Sequence, residues 1–190
     1  MLDKTLPYFH VIMKRPRGAP VFEHALGGDF IWDEFEPGDE SAWADIETAV
    51  GEFPSVDEAR NYFERTYAFH GTELSRRCVF VRAPAGEKVG TVTTWWNQTG
   101  DRSDPSIHWL AVRPEYQGRG LGSALVSWAI GRLLTLEGER DIWIHTQTWS
   151  HEAIRIYLKA GFTFVRDESF GGYPNDYPEA MVVLHRVRGQ

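Results

Sequence analysis

The sequence has 190 residues, 42% hydrophobic and 14% aromatic, which suits one soluble domain with a core large enough to fold unaided. A formal net charge of −7 with scattered Lys and Arg argues against a nucleic-acid surface and favours cationic partners. A single cysteine, Cys78, excludes an intramolecular disulfide framework, no Cys/His cluster has zinc spacing, and neither a signal segment nor a membrane-crossing apolar run occurs, so the expectation is a cytoplasmic protein without a metal or membrane partner.

Residues 1–190 read as one domain. "YFHVIMKRP" is a predicted strand closed by Pro16, and residues 1–25 read as an extra N-terminal edge strand or arm. "DFIWDEF" is a second strand ending in the turn "EPGDE". Two helices are expected next. "SAWADIETAVGEF" puts Trp43, Ile46, Val50 and Phe53 on one face, and "SVDEARNYFERTYA" opens with Ser55 and Glu58 in capping-box spacing. "RCVFVRA" and "KVGTVTTWW" flank the hairpin turn "PAGE", and "SIHWLAV" follows the predicted loop "QTGDRSDP". From Leu121 the period becomes helical through Leu125, Trp128, Arg132 and Leu136 until Gly138. Then come the strand "DIWIHTQT", the helix "HEAIRIYLKA" ended by Gly161, the strand "FTFVRDE", the loop "SFGGYPNDYPEA" and a final predicted strand "MVVLHRV". Strands alternating with helices imply parallel pairing and hairpins imply antiparallel pairing, so the expected fold class is α/β with a mixed central sheet flanked by helices.

Three alternating glycines, Gly118, Gly120 and Gly122, sit between the apolar run ending at Val112 and the helix from Leu121. Glycine disfavours helix by roughly 0.5–1 kcal/mol relative to alanine, so the pattern suggests a close approach to bare backbone at a helix entrance, where an anion binds well. No lysine sits where a P-loop needs it. A dinucleotide fingerprint would need a glycine at position 123, which is Ser123. A glycine-rich turn without any ligand is the remaining local reading.

"LAVRPEYQGRGLG" and, further on, "HEAIRIYLKAGF" together resemble the acyl-CoA N-acyltransferase (GNAT) superfamily. Gln117, Gly120 and Gly122 fill its [RQ]xxGx[GA] signature, and the second stretch matches its helix with Ala, Tyr and Gly-Phe at fixed spacing. The resemblance implies a GNAT-like fold and acetyl-CoA as cosubstrate. It also implies that backbone amides from Gln117 through Gly118, Arg119, Gly120, Leu121 and Gly122 cradle the coenzyme A diphosphate, with Arg119 adding charge. Pantetheine would pair with the main chain of Leu110, Ala111 and Val112. Ser150 stands where many relatives carry an asparagine that bonds the coenzyme.

Acetyl transfer to an amine needs a base for the amine and an acid for the departing thiolate, since an alkylammonium has a pKa of roughly 10.4. The resemblance assigns the acid to Tyr157, which by spacing alone reads as a core aromatic. Two histidines compete for the base. His145 occupies the position of a catalytic glutamate in the ribosomal-protein alanine acetyltransferases, and His108 matches a histidine of the arylalkylamine branch, with Ser106 at its partner position. An imidazole suits either role, and His145 is preferred.

For the acceptor, Trp95 and Trp96 must face opposite sides of their strand, so one is core and the other lines a cleft. Trp96, Trp32, Glu34 and Tyr173 are the acceptor-binding candidates, because aromatic rings and a carboxylate suit a cationic amine. The expected activity is acetylation of a small-molecule or peptide amine, and a homodimer stays open. The alternatives are a non-catalytic acyl-CoA sensor on the same fold and a dinucleotide-binding enzyme.

Overall fold

The structure, a computed structural model, describes residues 2–188. β1 (His10–Arg15), β2 (Ile31–Glu34), β3 (Cys78–Arg82), β4 (Lys88–Thr99), β5 (Arg102–Val112), β6 (Ile142–Gln147) and β7 (Thr163–Phe164) form one sheet in the order β2-β3-β4-β5-β6-β1-β7. β5 and β6 are parallel, with Ser106 opposite Trp143, while β1 is antiparallel to β6 and β7, and β3 to β2 and β4. The helices are α1 (Glu40–Val50), α2 (Val56–Tyr67), α3 (Gly71–Arg77), α4 (Leu121–Glu137), α5 (His151–Lys159) and α6 (Tyr177–Arg188). The class is therefore the mixed α/β one expected.

Four placements differ from the sequence reading. β1 is no edge strand or arm: it lies between β6 and β7, and Val11, Ile12 and Met13 are all buried in succession, as happens when both faces of a strand are covered. "MVVLHRV" is the body of α6 and not a strand. Its Ala180, Val183 and Leu184 are buried at helical spacing, a pattern that competes with its β-branched composition. A third short helix, α3, follows α2; it begins at a glycine and offers too few apolar positions to signal itself. The expected loop 98–105 is mostly strand, with Arg102 and Thr99 both held by Asp104, so only Gly100 and Asp101 make the turn.

The chain forms two compact units, and the boundaries cut β4, β5 and α4. One comprises Glu23–Thr94 and Trp109–Ala129. Here α1 buries Trp43, Ile46 and Val50 and stops at Gly51, whose φ of 90° only glycine adopts freely. The Ser55 hydroxyl accepts the Glu58 N–H at 3.2 Å, half of the expected capping box. Trp109 departs from regular strand geometry with φ 51°, an unusual value for a bulky residue. Its ring is gripped by Tyr62, Phe53 and Trp43 at 4.9, 5.3 and 5.5 Å, aromatic packing that offsets the backbone strain.

The other unit contains Leu2–Phe22, Trp95–His108 and the chain from Ile130 onward. Its core joins Ile12 of β1, Trp143 of β6, Val165 and Phe170, with Trp143 and Phe170 stacked at 5.2 Å. This packing fixes the face of β6 from which His145 projects, since residues 143, 145 and 147 share it.

Candidate active site

The glycine-rich turn belongs to the first unit. Leu110, Ala111 and Val112 end β5, with the last two buried, and a short 3₁₀ turn, Pro114–Tyr116, leads to Gln117. The Gln117 Nε2 donates to the Val112 carbonyl at 2.8 Å, tying the turn back to the strand. Gly118 and Gly120 have φ of 76° and 82°, so both are required by the backbone itself. Among the described residues, the amides of Gly118, Arg119 and Gly120 meet no hydrogen-bond acceptor. A Cβ at Gly118 would stand in open space, and one at Gly120 would lie 2.9 Å from His24 Nε2. Leu121, buried, then starts α4 with Gly122 in its first turn, and the Arg119 guanidinium lies over the Tyr116 ring at 5.1 Å. The local chemistry is that of an anion cradle: bare N–H groups, a helix entrance and a nearby cation.

Trp32 and Glu34 also lie in this unit, on the edge strand β2, where Trp32 faces Trp128 at 6.4 Å. The other two acceptor candidates, Trp96 and Tyr173, are in the second unit. Trp96 donates its indole N–H to Glu137 at 3.0 Å, and its ring comes within 5.3 Å of Trp95. Neither of these tryptophans is fully buried, so the expected division into one core ring and one cleft ring does not occur.

The second unit gathers the histidines. In an antiparallel pair, Ile12 stands opposite His145 and His10 opposite Gln147, so His10 and His145 are diagonal neighbours on one face. Their rings meet, with His10 Nδ1 2.9 Å from His145 Nε2. On its flat side His145 stacks against Tyr173, centroids 3.7 Å apart and planes 3° from parallel. Gly171 and Gly172, at φ of 60° and 72°, shape the loop that brings this tyrosine in, and the Gly171 N–H is held by Thr99 at 2.9 Å. Burial, then the neighbouring His10 and His108, push the His145 imidazole down to about 4.

His108 is also pushed down to about 4, by burial. Its Nε2 lies 2.8 Å from the Ser106 hydroxyl and 2.9 Å from Asn97 Nδ2. An amide nitrogen only donates, so His108 Nε2 accepts and its ring proton sits on Nδ1. Both imidazoles are thus neutral at pH 7, but the His108 lone pair is engaged, whereas His145 Nδ1 has no hydrogen-bond partner among the described residues. Tyr157 is buried on α5 with its ring against Phe162 at 5.9 Å, and Ser150 stands at the entrance of that helix without capping it.

His10, Asn97 and His24 escape a reading of the sequence because no motif surrounds them. The one available signal was the alternation that puts His10 on the same face as Ile12. Among the described residues no group of three or more His, Cys, Asp or Glu is placed to hold a metal ion, and no helix is long and apolar enough to cross a membrane.

The sequence profile described as "Acetyltransferase (GNAT) family" matches residues 40–162. A crystal structure of a GCN5-related N-acetyltransferase from Sphaerobacter thermophilus superposes with a TM-score of 0.62 at 22% identity, covering 84% of this chain and 49% of that one. Glucosamine-6-phosphate N-acetyltransferase from Arabidopsis thaliana gives 0.52 at 13% identity, covering 78% of this chain and 99% of that one. Among curated proteins, the mycothiol acetyltransferase of Actinosynnema mirum is 31% identical over 68 residues, 36% of this chain and 23% of that protein. The chain thus matches less than a quarter of the length of that curated relative.

Proposed function

Because this chain belongs to the acetyltransferase (GNAT) family, we propose that it moves the acetyl group of acetyl-CoA onto a primary amine of a small molecule or peptide. The turn from Gln117 to Gly122 binds the coenzyme diphosphate: the amides of Gly118, Arg119 and Gly120 meet no hydrogen-bond acceptor among the described residues, its positive-φ glycines leave the main chain bare, and Arg119 adds a cation. The main chain at Leu110, Ala111 and Val112 serves pantetheine, and Ser150 offers a hydroxyl to the coenzyme.

The observation that carries the chemistry is the state of the two histidines. His145 is neutral and its Nδ1 has no hydrogen-bond partner among the described residues, while the His108 Nε2 lone pair is taken by its neighbours. His145 therefore acts as the base. It takes one proton from the ammonium, the freed amine attacks the thioester carbonyl, the C–S bond breaks as Tyr157 gives its phenolic proton to the departing thiolate, and the second nitrogen proton, lost as the amide forms, restores the Tyr157 hydroxyl. His108 orients polar groups beside it. Tyr173, stacked on His145, and Trp96 bound the acceptor.

The test is release of free thiol from acetyl-CoA in the presence of alkylamines, arylalkylamines, amino sugars and peptides with free N-termini or lysines. Thiol release dependent on one amine class supports transfer. Coenzyme A binding with no release for any amine would leave a sensor.

A further inference from the structure

Among the described residues His145 makes one ring hydrogen bond, and its partner is another imidazole. We infer that His10 is the positioning residue for His145: its Nδ1 accepts the His145 Nε2–H, so that the His145 Nδ1 lone pair faces the acceptor amine and the two rings form a proton wire. The inference rests on the reading of His145 as the base.

Two imidazole nitrogens facing each other at 2.9 Å share one proton between them. If His10 were the donor, the His145 proton would sit on Nδ1 and no nitrogen of that ring could accept one. If His145 is the donor, Nδ1 carries a lone pair and the ring can act as a base. The direction of this bond therefore sets what His145 can do.

The wire balances without any further group. A proton arriving at His145 Nδ1 makes the ring cationic. Its Nε2–H then passes to His10 Nδ1, and His10 releases its own Nε2–H to water. Once product has left, the relay runs in reverse: water protonates His10 Nε2, the His10 Nδ1–H returns to His145 Nε2 and the His145 Nδ1–H passes to water, which restores the starting tautomers. No charge stays on His145, which matters because burial penalises its imidazolium.

The scaffold around the pair is built for a fixed geometry. The His10 N–H donates to Asp176 Oδ2 at 2.9 Å, and the His10 carbonyl accepts the Asp176 N–H at 3.3 Å. The Tyr8 ring meets His10 edge-on at 5.0 Å, and Tyr173 covers the opposite side of the pair on His145. The titratable groups facing the two rings are Tyr8 and His10 from β1 and the segment before it, His108 from β5, and Tyr173 and Asp176 from the loop before α6. The distant position of β1 in sequence is why this partner carries no local signature.

The test compares His10→Phe, His10→Asn and His145→Gln with the parent, using the best amine of the panel. His10→Phe keeps the ring and removes both nitrogens, so kcat is expected to fall by about 10–100-fold, part of the 10²–10⁴ that acid–base catalysis supplies, with KM for acetyl-CoA unchanged. His10→Asn keeps a hydrogen-bonding group near the Nδ1 position and should recover part of that loss. In a His145→Gln background, His10→Phe should cost nothing more. Independently of turnover, ¹⁵N spectra of the parent's imidazoles should show an unprotonated Nδ1 on His145, and that signature should weaken in His10→Phe. A protonated Nδ1 in the parent overturns the inference even if the His10 variants fail to fold. Parent-like kcat in a folded His10→Phe, with His145→Gln slow, overturns the wire and leaves the base intact. Parent-like kcat in His145→Gln removes the base, and the wire with it.

Discussion

At the scale of single residues, a histidine's surroundings decide which pH range it serves. His145 must be neutral to accept a proton, and its imidazole is pushed down to about 4, first by burial. The acidic limb of kcat is therefore expected near pH 4, well below the unperturbed imidazole value of about 6.5. Measuring kcat at saturating amine keeps ionisation of the free substrate out of the profile. His145→Gln should abolish that limb and slow turnover by about 10²–10⁴-fold, while His108→Gln, which removes a ring already hydrogen-bonded to Asn97 and Ser106, should keep the limb. An acidic limb that vanishes in the His108 variant instead would transfer the base to that residue. Tyr157→Phe tests the acid. The ring's packing on Phe162 is retained and the hydroxyl is lost, so turnover should drop by about 10²–10⁴-fold with coenzyme A affinity and thermal midpoint near the parent's.

At the scale of elements, the turn before α4 combines two requirements in one stretch. Gly120 has a left-handed φ of 82°, and a Cβ there would stand 2.9 Å from His24 Nε2. His24 is exposed and can shift, so the larger consequence of a side chain at Gly120 is a raised cost of this backbone conformation, about 1 kcal/mol or more, and a blocked approach to the amides. Gly120→Val is expected to weaken coenzyme A binding by at least tenfold in calorimetry while the protein stays folded. Affinity equal to the parent's would remove the turn from the coenzyme site. Gly118→Ala offers a graded comparison: its Cβ meets nothing within 4 Å, so only the strain at φ 76° should count.

For the whole molecule, buried titratable groups shape stability on both sides of neutrality. His145 and His108 have folded values near 4, below the unfolded value of about 6.5, so the unfolded chain binds more protons between those limits. Their contribution is complete above about pH 6.5 and is lost as pH falls toward 4, at a cost of about 1–3 kcal/mol for each. Glu47 acts in the opposite sense. Burial, and then Glu52, raise its carboxyl well above the ordinary value, and Oε1 has no hydrogen-bond partner among the described residues. Its stabilising protonated form is fully present below about pH 4.5 and is lost as pH rises through the folded value. Glu47→Gln should accordingly raise the thermal midpoint at pH 7 and flatten its decline toward alkaline pH. His108→Gln should flatten the acidic side. Thermal melts from pH 4 to 9 read both, and an unchanged slope in either variant would count against the corresponding group.

The sequence by itself determined the local features: the helical periods of α1, α2, α4 and α5, the β3–β4 hairpin, and the strand, glycine turn and helix from Leu110 to Leu121. These are legible because their cause is local, a period of burial, a capping residue or a positive φ, and because two motifs in order carry the family. Only the tertiary structure decided what depends on register between distant segments. "MVVLHRV" has strand-like composition, yet its buried positions follow a helical period, and the place beside β6 is filled by β1. That insertion brings His10 to His145 across 135 positions of chain. Residues so far apart meet through sheet order and pairing register, which arise from the packing of the whole unit and leave no pattern near either residue.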